Sequence, residues 1–376
     1  MSGNPIQRVP LLRRAPLLPL CGLLALVVFV GLMTGPHSFD WRSPHLGHQT
    51  VLANLGHLIF GGDGPMTLVM REIRLPRVLL GVMVGASLGM AGAAMQGYFR
   101  NPLAGPGLLG VSSSAALGAV LSLQLGLAST LPSFPGMAML QQFSAELGFA
   151  YGRVLMLPLA ALLAALLSTS LILLLAGRRA SSHSLILAGI AIASFAGALT
   201  SLVINLSPNP YFASEMVFWM LGSLANTSFL HIAMALPLML IGWLLLLGCG
   251  QGIDALTLGE DSAASLGISL PGLRLRLVLG TAAVVGAATA VAGVIGFVGL
   301  VVPHMLRALI GPTPSRLMLA SAIGGAAMVV AADIVCQVIL PDRDLKLGVA
   351  TAIIGAPLFL HLIITTARRN AAGGEG

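Results

Sequence analysis

Apolar runs of membrane-crossing length recur along almost the whole chain, separated by short breaks rich in glycine, proline and arginine. About 20 apolar helical residues, rising 1.5 Å each, cross the hydrocarbon core of a bilayer. On that measure the runs at 17–33, 78–95, 112–127, 154–176, 185–206, 230–247, 277–292, 295–310, 317–340 and 347–365 predict an all-α polytopic membrane protein with about ten transmembrane helices. Two pieces break the pattern. Residues 212–224, FASEMVFWMLGSL, are short and interrupted, and predict a re-entrant or surface helix beside the fifth span. Residues 251–276 carry Asp254, Glu260, Asp261, Arg274 and Arg276. Their centre, GEDSAASLGI at 259–268, has a polar start and an Ala/Leu face, which suits a short helix lying across a membrane surface.

Within the second run Gly81, Gly85, Gly89, Ala93 and Gly97 recur every fourth residue, so one helix face carries almost no side chain and another helix can approach closely. The seventh run repeats the device with Ala282, Gly286 and Ala290, and the two runs point in opposite directions, a pattern consistent with an inverted repeat. The backbone breaks after the second run at Asn101, Pro102, Gly105, Pro106 and Gly107. Arg8, Arg13 and Arg14 precede the first run, and Gly31 to Pro36 offers no A-x-A cleavage site, so that run reads as a retained helix. The polar stretch that follows, to Met70, holds His37, His45, His48 and His57 at spacings that match no helical face, and reads as a solvated loop with a short interfacial helix.

Composition narrows the class. With 57% hydrophobic and only 8% charged residues, and a mean hydropathy of +0.96, no aqueous surface is left for a soluble fold, and one membrane domain over 1–376 is the natural count. An even number of spans puts both termini on one side. Taking that side as cytoplasmic gives it twelve of the 19 basic residues, as insertion bias requires. Arg74, Arg77, Arg343 and Lys346 oppose the bias, and an acidic partner is one explanation. No basic run is interleaved with aromatics for nucleic acid, and Cys21, Cys249 and Cys336 form neither a disulfide framework nor a metal site. There is no zinc motif, nucleophile elbow or paired carboxylate of an enzyme, hence no catalytic residue, and no G-x-x-x-x-G-K-[ST], so a motor driven by ATP must lie on another chain. The rival reading, an ion-coupled secondary transporter, needs intramembrane carboxylates. Asp333 alone lies well inside a span, where helix–helix hydrogen bonding is its simpler role.

The ordered set RLPR at 74–77, MQ at 95–96, RNPLAGPGLLGV at 100–111, GSL at 222–224, LGEDSAASLG at 258–267, GFVGLVVPHMLR at 296–307, ADI at 332–334 and GAP at 355–357 resembles the FecCD-type permease subunits of type II ABC importers, which take up iron siderophores, haem and cobalamin. The resemblance implies a homodimer in a bacterial inner membrane, with residues 1–16, 251–276 and 367–376 cytoplasmic. It implies two copies of an ABC ATPase, which bind the ATP and Mg and seat on a coupling loop that matches at Gly259, Glu260, Ala263, Ala264, Leu266 and Gly267. It also implies a periplasmic binding protein that docks on Arg74 and Arg77; Gln337 stands at a third basic position, for which Arg343 or Lys346 could substitute. The inner gate corresponds to Asn101 and Leu103 with Ser182 and His183, the last replacing a small hydroxyl. The pathway follows the dimer axis along the fifth helix and the short helix after it. No resident metal or cofactor is implied for this chain, since the metal travels inside its chelate. Segments 74–86 and 211–224 look most like haem importers, while siderophore permeases share most of these residues.

Overall fold

Each of the ten apolar runs falls on a helix in the computed structural model, which describes residues 17–34, 56, 65–128, 152–177, 182–207, 210–339 and 345–373. The helices are α1 (Leu17–Met33), α2 (Leu75–Tyr98), α3 (Val111–Ala128), α4 (Gly152–Ala176), α5 (Ser182–Asn205), α6 (Pro210–Met220), α7 (Phe229–Leu247), α8 (Gly250–Leu256), α9 (Glu260–Ser265), α10 (Leu270–Ala292), α11 (Val298–Ile310), α12 (Pro314–Ile339) and α13 (Leu347–Gly373). Among the described residues six helical stretches are long and apolar enough to cross a membrane; α1, α3, α11 and α13 contribute shorter apolar stretches. No strand occurs among the described residues. The short helix expected at 212–224 is α6, which begins two residues earlier and stops at Met220. His37, His45, His48 and His57 lie outside the described residues.

Two stretches carry more helix than their polarity suggests. The end of the polar stretch before α2 is helical, Pro65–Leu68 followed by a π turn at Val69–Arg74 that runs straight into α2. Pro76 explains the wide turn: it donates no N–H, and its ring would meet the carbonyl of residue 72 in a regular helix. The Leu75 N–H accordingly reaches back to the Met70 carbonyl. In the polar break at 251–276 there are two short helices, α8 and α9, not one. Gly252, Ile253 and Leu256 turn inward on α8, so a segment that looks polar overall has an apolar root.

The core is built around α2 and α10, each with 78% of its apolar stretch buried, against 22–28% for α4, α5 and α7. Those outer helices turn leucines such as Leu167, Leu174, Leu187 and Leu244 outward, giving the bundle an apolar exterior. The second-run helix α2 packs along α12, and its seventh-run counterpart α10 packs along α4. Each central helix thus lies against the fourth helix of the opposite half, the exchange an inverted repeat produces.

The small-residue ridge decides how close α2 and α12 come. A methyl group at Gly85 would run into the Gly325 backbone and one at Gly89 into the Ser321 carbonyl, while one at Gly325 would meet Gly85 in return. A neighbouring face of α2, not part of the ridge, makes a second close contact where Gly92 meets the Gly299 carbonyl on α11. Pro303 lies four residues after Gly299 and cannot donate to that carbonyl, which leaves it for the Gly92 Cα–H, a weak interaction common at tight helix crossings. Gly89→Leu is therefore expected to lose the folded protein: better helix propensity is worth about 1 kcal/mol, whereas overpacking costs about 1–3 kcal/mol even where side chains can yield, and here the obstacle is backbone. Gly22→Leu, at a position facing open space, is the control. Thermal midpoints of the purified variants check it.

Candidate functional site

The segment 251–276 hangs from one end of the bundle. Its root is held by packing and by one carboxylate. Gly97 on α2 faces Ile253 and Pro314, Gly250 faces Ser315, and Gly252 faces Leu273. Asp254 accepts from the Ser315 N–H at 2.9 Å and from the Ser315 hydroxyl at 2.6 Å. Beyond this root the chain turns through Gly259, whose φ of +105° is a conformation open chiefly to glycine, and enters α9 with Glu260 and Asp261 in its first turn. Ala263 is fully buried and anchors α9, and its carbonyl accepts from the Ile268 N–H at 3.1 Å to close the turn.

Of the residues matched to a coupling motif, Glu260, Ala264, Leu266 and Gly267 are exposed, Gly259 is half-buried, and Ala263 faces inward. Ala263 therefore holds the segment in shape and offers no side chain to a partner. Leu258, with 68% of its surface exposed, and Leu266, with 63%, flank the acidic turn. Two bare leucines beside two carboxylates on a rigidly held turn form a small amphipathic surface. Leu258 was legible only as part of the motif, since nothing in its spacing marks it as outward-facing.

At the opposite end of α2 the arginines of the RLPR motif are engaged internally. Arg74 is only 7% exposed, and its Nη1 donates to the Leu32 and Met33 carbonyls at 3.2 and 3.3 Å. These belong to the last turn of α1, whose carbonyls lack helical partners and favour a cation. Arg77 grips Asp333 of α12 in a two-pronged ion pair, Nε to Oδ2 and Nη2 to Oδ1, both 2.8 Å, and Gln337 adds a third donor to Oδ2 at 2.8 Å. The side chains of this pair are 16% and 6% exposed. The charge of these two arginines against the insertion bias is thus answered first from within the chain. Asp333 has the helix–helix role expected of it. Arg343 lies outside the described residues, and the Lys346 ammonium sits 5.6 Å over the Phe218 ring.

Further side-chain hydrogen bonds tie α2 to its neighbours. Gln96 is buried, donates to the Leu300 carbonyl at 3.0 Å and accepts from Arg307 at 2.9 Å, so both atoms of its amide are used. Trp243 of α7 donates to Ser87 at 3.0 Å. The MQ and GFVGLVVPHMLR motifs thus meet in space.

The connection after α2 turns on Asn101, which is exposed and whose Oδ1 accepts from the Leu103 N–H at 2.9 Å. A single 3-10 turn at Pro106–Leu109 then packs on α5, where Gly110 and Gly189 allow backbone-to-backbone contact. Ser182 and His183 begin α5, and the His183 side chain is exposed. Gly189 is six residues farther on, roughly 9 Å along the helix axis. The structure thus joins this connection to α5 through Leu108, Gly110 and Gly189.

The GSL motif forms a junction at the end remote from 251–276. The Ser223 N–H donates to the Ala292 carbonyl, and the N–H groups of Leu347 and Gly348 donate to the carbonyls of Gly222 and Leu221, each at 2.9 Å. Beside it opens an apolar cleft of about 430 Å³ lined by Met220, Leu221, Val294, Gly348, Val349, Ala352 and Ile353. Lys346 and Phe218 stand next to it in sequence.

Residues 23–365 match the FecCD transport family. The chain is 37% identical over 360 residues to the uncharacterized ABC transporter permease protein YvrB of Bacillus subtilis (strain 168), covering 94% of this chain and 93% of that one. It is 39% identical over 303 residues to the vitamin B12 import system permease protein BtuC of Salmonella newport (strain SL254), covering 79% and 84%. With the cobalamin import system permease protein BtuC of Halobacterium salinarum it shares 36% identity over 316 residues, covering 83% and 78%. A solved structure assigned to the metal-chelate type of ABC transporter, in an inward-facing conformation, superimposes with a TM-score of 0.75 at 27% identity, covering 94% of this chain and 99% of the other.

Proposed function

This chain belongs to the FecCD transport family and is an ABC permease, and from that premise we propose that it is the membrane subunit of an ATP-driven importer of a metal–tetrapyrrole chelate, with haem as the first candidate. Two copies form the pathway, and a separate ABC ATPase supplies ATP hydrolysis. Both termini and 251–276 face the cytoplasm, and a periplasmic binding protein delivers the ligand at the opposite end. The observation that carries the reading is the exposed Leu258, Glu260, Asp261 and Leu266 surface, held in shape by buried Ala263 and Ile253. It is a seat for a partner at the end of a body that carries no P-loop.

At the far end, exposed Arg71 and Glu72 with half-buried Lys346 form the docking rim. Arg74 and Arg77 act there from beneath, by fixing the ends of α1, α2 and α12. Asn101, Leu103, Ser182 and His183 lie at the cytoplasmic gate. The haem candidate draws support from the apolar cleft and from Lys346, two residues before its lining Gly348, because haem is a flat apolar ring bearing two carboxylates. Cobalamin is favoured by a different observation, the identity shared with cobalamin and vitamin B12 permeases.

ATPase stimulation in the reconstituted complex separates the two. Binding protein loaded with haem is expected to stimulate hydrolysis above the unloaded protein. Stimulation by cobalamin and not haem transfers the assignment to cobalamin, and stimulation by a ferric siderophore alone overturns the tetrapyrrole class.

A further inference from the structure

Chain connectivity ties the proposed ATPase seat to α7 and α10, the helices that flank it in sequence. α12 is covalently remote, joined to α11 by the turn at Gly311–Thr313, and is reached from the seat through space. The contact is polar and specific: the Asp254 carboxylate of α8 takes the N–H and the hydroxyl of Ser315, the second residue of α12. A carboxylate there meets backbone N–H groups that have no helical partner and the positive end of the helix dipole. The seat is backbone-coupled to Asp254 over a short distance, because the N–H groups of Thr257, Leu258 and Gly259 donate to the carbonyls of Asp254, Ala255 and Leu256 at 3.1 Å each.

From Ser315 the helix runs to Asp333, roughly 27 Å at 1.5 Å per residue. Along that length Gly85, Gly89, Ser321 and Gly325 place the α2 and α12 backbones in direct contact, with no layer of side chains to absorb a displacement. At the far end Arg77, Asp333 and Gln337 lock the same two helices. The pair is thus pinned at both ends and hard along its middle.

We infer that Asp254 is a positioning residue that hands the motion of the ATPase seat to α12, and through the α2–α12 pair to the docking end of the permease. The inference rests on reading 258–267 as the ATPase seat. It differs from a role in seating itself, since Asp254 is half-buried and spent on Ser315.

The test uses the full permease with its ATPase, in a C21S background that removes the exposed thiol. Nitroxides are placed at M156C and V338C, whose native side chains are exposed on α4 and near the end of α12. In the parent complex, trapping with ATP and vanadate is expected to shift the distance between them. D254N should capture the ATPase and hydrolyse ATP at the parental rate, yet lose about half of that shift or more, since a charge-assisted tie becomes a neutral one. S315A, which keeps the backbone N–H donor, should fall between. A full shift in D254N overturns the relay, as does a parent complex with no shift at all. A merely structural role would lower the yield of complex but leave the shift intact in what survives. Failure of the parent permease to capture the ATPase is a different result: it removes the seat assignment on which the inference stands.

Discussion

Replacing Leu258 and Leu266 with glutamate (L258E/L266E) is expected to abolish ATP-driven uptake while the permease still folds. Both leucines are mostly exposed, and the core beneath the seat is made by Ile253, Leu256 and Ala263, so the variant removes nothing the isolated chain needs. In a docked complex each leucine would be covered, worth about 1.5–3 kcal/mol apiece. Losing both weakens the ATPase contact by about 3–6 kcal/mol, at least ~100-fold in affinity. A glutamate forced into an apolar groove adds desolvation to that loss. Co-purification of the ATPase should fall below detection while the size-exclusion profile of the permease stays unchanged. Capture at parental affinity would remove the seat from this surface. Ala263→Glu is expected to behave oppositely, damaging the fold of the segment before any question of docking arises.

Breaking the Arg77–Asp333 pair is expected to produce the other large effect. Arg77→Glu places a second carboxylate against Asp333 and strips α2 of its ionic tie to α12 at that end. Removing one partner of a buried pair costs about 3–5 kcal/mol, and a like charge adds repulsion. The folded yield and thermal midpoint should both drop sharply. The exchange R77D/D333R restores the pair with its sense reversed and should recover much of the loss. This rescue separates internal bracing from docking. If Arg77→Ala keeps full stability and only the binding protein lets go, the guanidinium serves the partner; if stability falls and the exchange restores it, it serves the bundle. The geometry, with three donors on one 6%-exposed carboxylate side chain, predicts the second result.

What could be read from the chain was what is periodic or contiguous. Ten apolar runs gave ten helices because length and composition act within each run, and the ridge from Gly81 to Gly97 announced a close crossing because every fourth residue returns to one face. The exposed turn at 258–267 was visible as an ordered motif. Pairings between distant residues were not visible. Arg77 and Asp333 lie 256 positions apart and Asp254 and Ser315 lie 61 apart, and no local rule links them. Gly92 escaped the same net, since it lies off the four-residue ridge and its partner carbonyl is released by a proline on another helix. The internal partners of Arg74 and Arg77 were hidden for a related reason. A positive residue on the disfavoured side of a membrane needs compensation, and sequence does not say whether that comes from a partner or from a helix end and a carboxylate already in the chain. Of the two helices within 251–276, α9 was expected and α8 was hidden, because its inward residues, Ile253 and Leu256, are too few to make a period.

The most direct test of the account is uptake into sealed proteoliposomes holding the permease alone or with its ABC ATPase, each supplied with loaded binding protein. Uptake is expected only when the ATPase and ATP are both present, and should be unaffected by collapsing proton and sodium gradients. Uptake by the permease alone, driven by an ion gradient and lost when that gradient is collapsed, would contradict it.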